Sequence, residues 1–222
     1  MDIFLFVLGY LIQLIASGIL FYRIKSVRSI YGLSVDTQIC FLLSSLSRLV
    51  WTVNTRIYEA NGAFVTIAFL EMLCSVVAAI GLVYNFVQLR HTTTVMAPLL
   101  MSYRVLVPMC LIMAYLVNPA GWFNVSSQLL VAFNMYVEAV ALIPQLWLIR
   151  KIEDVEALTS HYIGLLVIAR GVRMVFWIVL FMEGDRFVSL FLADVFHTVL
   201  SADYLYLWVR KLRHGGRLVY SI

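Results

Sequence analysis

Seven apolar stretches follow one another almost without pause, at about 3–22, 36–54, 63–86, 102–117, 123–149, 161–182 and 188–209. About 20 apolar residues are needed for an α-helix to cross a hydrocarbon core. Seven such spans take about 140 residues and leave about 80 for everything else. The connections are accordingly short, the longest being 23–35, 87–101 and 150–160, and none can hold a soluble domain. The fourth stretch, Ser102 to Val117, is the shortest and contains Pro108. Of the 222 residues 63% are hydrophobic and 13% charged, against roughly 25% charged in a soluble domain. So few charges cannot cover a water-soluble globule. They exclude a soluble enzyme, a disordered regulator and a nucleic-acid binder, despite the net charge of +4. The expected fold class is all-α, a polytopic membrane protein.

The three cysteines, Cys40, Cys74 and Cys110, lie inside apolar stretches. They read as small buried hydrophobes and not as a disulfide framework. The first stretch begins directly after Asp2, with no basic leader or small-residue cleavage site, so it is expected to be a retained helix. Lys and Arg concentrate in cytosolic loops of membrane proteins. Arg23, Lys25, Arg28, Arg90, Arg150, Lys151, Arg210, Lys211, Arg213 and Arg217 fall on one side of the seven spans, with Arg104 at a helix start beside them. Only Arg56 and Arg186 fall opposite. The N-terminus is expected outside or in a lumen, and the tail, 210–222, in the cytosol.

The two halves resemble each other at an offset of 125 positions. Gly32-Leu33-Ser34 aligns with Ala157-Leu158-Thr159, and Arg48 with Arg173. The organisation expected is a single transmembrane unit: one three-helix repeat over about 3–86, a linker helix over about 102–117, and a second repeat over about 123–209. One linker crossing makes the repeats parallel, about an axis along the membrane normal.

A charge at the centre of a bilayer costs about 2.5–3.5 kcal/mol on insertion scales, so each one within a span asks for a reason. Arg48, Arg170, Arg173, Glu71, Glu138, Asp194 and Asp203 are of this kind. Helical spacing groups them into stripes: Ser44, Arg48 and Trp51; Arg170, Arg173 and Trp177; Asn134, Glu138 and Gln145; Asp194, His197 and Ser201. Such stripes belong inside a bundle. In the expected orientation Arg48 lies about six residues, or about 9 Å, from the luminal end of its helix. Arg173, Trp177, Glu71, Gln128 and Asp194 also belong to luminal halves. The pattern predicts a polar cavity open to the lumen, in which the arginines hold carboxylates by forked hydrogen bonds while Trp51 and Trp177 pack apolar parts of a ligand. Packing offers a second reading. Arg170 and Glu138, at similar depth, would pair to lock helices, whereas Arg48 and Arg173 are the expected ligand contacts. Asp203 is either a packing partner or a conformational switch. His161 caps or is solvated at the cytosolic boundary, and His197 is able to titrate near neutral pH. There is no metal-ligand spacing, nucleophile elbow or phosphate loop, and neither catalysis nor a cofactor is expected. The sequon Asn124-Val125-Ser126 lies against the membrane and is expected to go unused.

The run Tyr136-Val137-Glu138-Ala139-Val140-Ala141-Leu142-Ile143-Pro144-Gln145-Leu146, followed by Glu156-Ala157-Leu158-Thr159-Ser160-His161-Tyr162, resembles the KDEL receptor family, receptors that retain luminal proteins in the endoplasmic reticulum. Arg28-Ser29, Gly32-Leu33-Ser34, Gln38 and Arg48 are similar to its first-loop and second-helix signature, and Ala202-Asp203-Tyr204-Leu205-Tyr206-Leu207 to its seventh helix. The resemblance implies seven helices arranged as in PQ-loop and SWEET transporters, with Pro144-Gln145 as the PQ pair. It implies a receptor of endoplasmic reticulum and Golgi membranes that captures C-terminal tetrapeptide signals in the mildly acidic Golgi and releases them at neutral pH. It further implies vesicle coat proteins as cytosolic partners, Arg48 for a ligand carboxylate, Trp177 for pocket packing, and Arg170, Glu138 and Asp203 for a polar network behind the pocket.

Several positions depart from that pattern. Leu5 and Phe6 stand where the family has an arginine, Gln13 replaces a histidine, and Trp51 and Gln128 replace acids. Ala169 replaces a tyrosine and Leu180 an arginine, while Arg173 is an added cation. A pocket short of acids has little to hold a leading lysine, so the expected signal begins with an uncharged residue. The tail Arg210-Lys211-Leu212-Arg213-His214 lacks the lysine pair expected for coat-dependent retrieval. A small-solute transporter of the PQ-loop or SWEET type and a receptor-like paralogue that binds no signal are the competing functions. Three arginines suit a peptide carboxylate better than a sugar. Under the receptor reading Arg48→Ala is expected to abolish peptide capture and leave helix packing largely intact.

Overall fold

The computed structural model describes residues 2–56, 62–93, 97–117, 127–151 and 157–182, with seven further helical positions between 191 and 209. Seven α-helices lie in the continuous parts: α1 (Asp2–Val27), α2 (Val35–Thr55), α3 (Ala63–Gln88), α4 (Tyr103–Leu116), α5 (Ser127–Ala141), α6 (Ile143–Lys151) and α7 (Ala157–Met182). The chain is an α-helical polytopic membrane protein. By length and apolarity alone, four helical segments among the described residues can cross a membrane: Phe4–Val27, Ala63–Gln88, Ser127–Lys151 and Thr159–Met182. The second predicted span, α2, is long enough but carries a buried polar face with Ser44, Ser45, Ser47 and Arg48. The predicted seventh span falls mostly outside the described residues.

Local chemistry sets the helix ends. Ser34 caps α2, its Oγ accepting from the Thr37 N–H at 3.3 Å, and Asp36 lies in the first turn, where an anion favours the exposed N–H groups. Asp36 also holds the start of α4, accepting from the Tyr103 N–H at 3.0 Å and the Ser102 hydroxyl at 2.8 Å. The fifth predicted span is one apolar segment broken at Leu142, between α5 and α6. Pro144 explains the break, because its ring clashes with a helical carbonyl four residues earlier and it donates no N–H.

The first predicted span is longer than its apolar run. α1 continues to Val27 because Arg23 turns back, donating to the Ser29 carbonyl at 2.6 Å and the Tyr31 carbonyl at 3.0 Å. The loop so gripped is tied at two more points. The Ile30 N–H donates to Thr92 Oγ1 at 3.0 Å. Gln145, fully buried, accepts from the Ser34 N–H at 2.7 Å and donates to the Gly32 carbonyl at 2.8 Å. Gly32 has φ 78°, a left-handed conformation that a side chain would strain.

Helix α1 packs on α7 and α3, α2 on α5 and α3, and α4 on α5. The main apolar core fills the half of the bundle next to loop 28–34. It is built from Ala16, Leu20 and Ile24 of α1, Leu82 and Phe86 of α3, and Tyr162, Ile163 and Leu166 of α7, among others. Ile15, Leu70, Val77, Ile112 and Ile178 remain exposed, as side chains facing lipid do. The opposite half is polar at its centre.

Candidate functional site

Two ion-pair clusters occupy that polar half. In the first, Glu138 of α5 is almost wholly buried. Its Oε2 lies 3.1 Å from Arg170 Nη1 and accepts a second bond from Arg173 Nη1. Arg170 Nη2 also donates to the Glu138 backbone carbonyl at 2.7 Å. Arg170 and Arg173, three residues apart on α7, share one face, so both reach a single carboxylate. From α2, Ser44 Oγ lies 2.9 Å from Glu138 Oε1 and 2.5 Å from Asn134 Oδ1. In the second cluster, Arg48 Nη2 lies 3.2 Å and 3.1 Å from the two oxygens of Glu71, and Ser75 Oγ donates to Glu71 at 2.5 Å.

Tyr10 of α1 joins the two. Its ring lies 3.7 Å from the guanidinium carbon of Arg48 and 4.5 Å from that of Arg173, within cation–π range. Close approach of α1 and α7 makes this possible. A Cβ on Gly9 would stand 2.6 Å from Arg173 Cγ and 3.1 Å from the Ala169 carbonyl oxygen. An aromatic row continues from the site: Phe6 lies 4.9 Å from Tyr10 and 5.1 Å from Phe176, and Phe176 lies 5.1 Å from Trp177.

The guanidiniums of Arg48, Arg170 and Arg173 and the carboxylates of Glu71 and Glu138 are all buried. Three buried groups around Arg48 lack a hydrogen-bond partner: Arg48 Nε, Trp51 Nε1 and Tyr10 Oη. The first two only donate, and the third is able to. Such a set is suited to receive an anion.

Of the predicted site residues, Arg48, Arg170, Arg173 and Glu138 come together. The expected pairing of Arg170 with Glu138 is present, but Arg173 shares the same carboxylate and is 0 % exposed, while Arg48 is 9 % exposed. All three guanidiniums are thus engaged in buried ion pairs. Bidentate and shared pairing is the alternative to leaving these cations uncompensated in an apolar bundle. Trp51 is half-buried one turn from Arg48. Trp177 is buried with Ala114, Ala132 and Met135 in a small apolar cluster. Gln128 is exposed in the first turn of α5. Asp203, Asp194, His197 and Ser201, and the tail residues Arg210, Lys211 and Arg213, lie outside the described residues. Tyr10 was not foreseen. A lone tyrosine in an apolar helix carries no distinguishing signal, and only the packing of three helices gives it two cationic neighbours.

A multi-helix membrane protein with a buried centre of arginine–glutamate ion pairs is the class defined by this fold and site. A model of the family "ER lumen protein retaining receptor" matches residues 29–180. The ER lumen protein-retaining receptor of Dictyostelium discoideum is 28% identical over 222 residues, covering 99% of each chain. That of Drosophila melanogaster is 30% identical over 220 residues, 98% of each, and human ER lumen protein-retaining receptor 2 is 30% identical over 224 residues, 95% of each. The chain belongs to the ER lumen protein-retaining receptor family. It is a multi-pass membrane protein of the secretory pathway, and by its name the family is one of receptors.

Proposed function

We propose that this protein captures luminal proteins that have escaped to the Golgi, by their C-terminal retention signal, and returns them to the endoplasmic reticulum. Capture at mildly acidic pH and release at neutral pH belong to this reading, as do coat proteins at the cytosolic face and no catalysis. The observation that carries it is the buried donors without an acceptor at Arg48 Nε, Trp51 Nε1 and Tyr10 Oη. A peptide's terminal carboxylate supplies acceptors for such donors. Among the described residues both buried acids, Glu71 and Glu138, are already paired with arginines, so nothing there welcomes a leading lysine. Two parallel three-helix repeats are part of the same proposal. Exchanging the repeats carries the α1–α7 contact onto the α5–α2 contact, and both contacts are extensive.

Binding of short peptides ending in Lys-Asp-Glu-Leu or Ala-Asp-Glu-Leu, as free acids and amides, at two pH values tests the proposal. A free-acid preference, stronger at the lower pH and without a demand for lysine, is the expected result. Equal binding of acid and amide would end the receptor reading.

A further inference from the structure

The end of the bundle away from the ion pairs carries a second cluster of charge. A Cβ on Gly81 of α3 would stand 3.6 Å from the Phe21 ring of α1, so the two helices run together near their C-termini. The segments that follow them are joined by the Ile30 N–H, which donates to Thr92 Oγ1 at 3.0 Å. Lys25, Arg28, Arg90 and His91 are thereby gathered at one corner, and all four are exposed. Among the described residues none of them has a carboxylate partner. Asp36, the one described acid at this end, is taken by the start of α4. Tyr22 and Tyr84 are exposed on the same two helix ends, as aromatic side chains at the headgroup level of a bilayer are.

Membrane topology asks for basic residues at a cytosolic end, but not for a fixed arrangement of them. Here the backbone is fixed. Arg23 grips the Ser29 and Tyr31 carbonyls, and Arg28 holds φ 51°, a left-handed conformation usually given to Gly or Asn. A helix C-terminus favours a cation in its last turn, and Lys25 meets that preference in α1. Arg28, Arg90 and His91 stand beyond the last turns of their helices. What the corner lacks is an anion of more than one charge, lying where a span meets the lipid headgroups.

We propose that this corner binds the headgroup of a phosphorylated inositol lipid in the cytosolic leaflet. Its phosphate groups accept charge-assisted hydrogen bonds from Lys25, Arg28 and Arg90 and a ring N–H bond from His91. The single net charge of phosphatidylserine leaves most of these cations unmatched. The inference goes beyond the receptor reading and shares with it only the expected orientation, so loss of peptide binding leaves it standing.

The full-length chain, purified in detergent, is melted with dioctanoyl phosphatidylinositol phosphate, with the matching phosphatidylserine and phosphatidylcholine, and with the free inositol bisphosphate headgroup. The inositol lipid is expected to raise the melting temperature by about 5 °C at saturation, phosphatidylserine by less, and phosphatidylcholine not at all. Arg28→Asn/Arg90→Gln, in which asparagine keeps the left-handed turn, should abolish the rise without lowering the lipid-free melting temperature. Arg104→Gln/Lys151→Gln, which removes the same charge elsewhere on this end, should leave the rise intact. No rise with the inositol lipid, or an equal rise with phosphatidylcholine, would overturn the proposal. Equal loss in the two double variants would reduce the site to diffuse charge and overturn it as well. A free headgroup as effective as the lipid would make this a soluble-phosphate site, and a lowered lipid-free melting temperature in Arg28→Asn/Arg90→Gln would make the arginines structural. Either result ends the lipid assignment.

Discussion

Arg48 is paired with Glu71 and stacked on Tyr10, so its removal acts in two ways. Arg48→Ala deletes the proposed ligand contact, but it also strands a buried carboxylate, which costs about 3–5 kcal/mol. The expectation from sequence that helix packing would survive this change does not hold once Glu71 is seen at 3.1 Å. Arg48→Ala is now expected to lower the melting temperature and to lose peptide binding. The double variant Arg48→Ala/Glu71→Gln should recover most of the stability and none of the binding. Recovered binding would reduce Arg48 to a counter-ion for Glu71. At this scale the sequence disclosed the charged members of the site, because a charge in a span is expensive wherever it lies. It did not disclose the partners. Glu71 and Arg48 are on different helices, and the pairing of Arg173 with Glu138 depends on where α7 crosses α5. Tyr10 carries no charge and stays invisible to that test.

Between elements, the contact of α1 with α7 is set by what Gly9 lacks. Gly9→Ala puts a methyl 2.6 Å from Arg173 Cγ and 3.1 Å from the Ala169 carbonyl, so either the helices part or Arg173 leaves Glu138. A cost of about 1–3 kcal/mol is expected from such overpacking. Gly18→Ala is the internal control, since nothing lies within 4 Å of its Cβ position and alanine favours a helix. The pair is compared by thermal melting in detergent. Equal behaviour of the two would show that α1 is free to move away from α7. The helices themselves were legible, because an apolar run fixes a span with little help from tertiary contacts. Their ends were less so. Apolarity stops at Tyr22, yet α1 runs to Val27 because Arg23 finds the Ser29 and Tyr31 carbonyls, which hydropathy cannot register. The break at Leu142 was foreshadowed by Pro144, but the clamp that Gln145 places on loop 28–34 joins residues over a hundred positions apart.

Across the whole molecule, charge and polarity are sorted toward opposite ends. Arg23, Lys25, Arg28, Arg90, Arg104, Arg150 and Lys151 all belong to the end at which α1, α3 and α6 finish and α2 and α4 begin. The apolar core lies just beneath that end, tied down by Arg23, Thr92 and Gln145. The ion pairs and the aromatic row lie toward the other. A site built to receive a ligand from one compartment needs this asymmetry: a sealed, apolar half on one side and a polar half that the ligand enters. The proposed orientation puts the basic end in the cytosol, because basic loops resist translocation, and it puts Arg48 and Tyr10 toward the lumen. Tyr31, in the tethered loop, and Gly62, at the start of α3, are both exposed and mark the two ends. Tyr31→Cys should therefore react with a membrane-impermeant maleimide when only the plasma membrane is opened. Gly62→Cys should react only after internal membranes are dissolved as well. The reverse pattern would point the Arg48 site toward the cytosol, where no escaped luminal protein could reach it, and would remove the receptor reading along with the orientation.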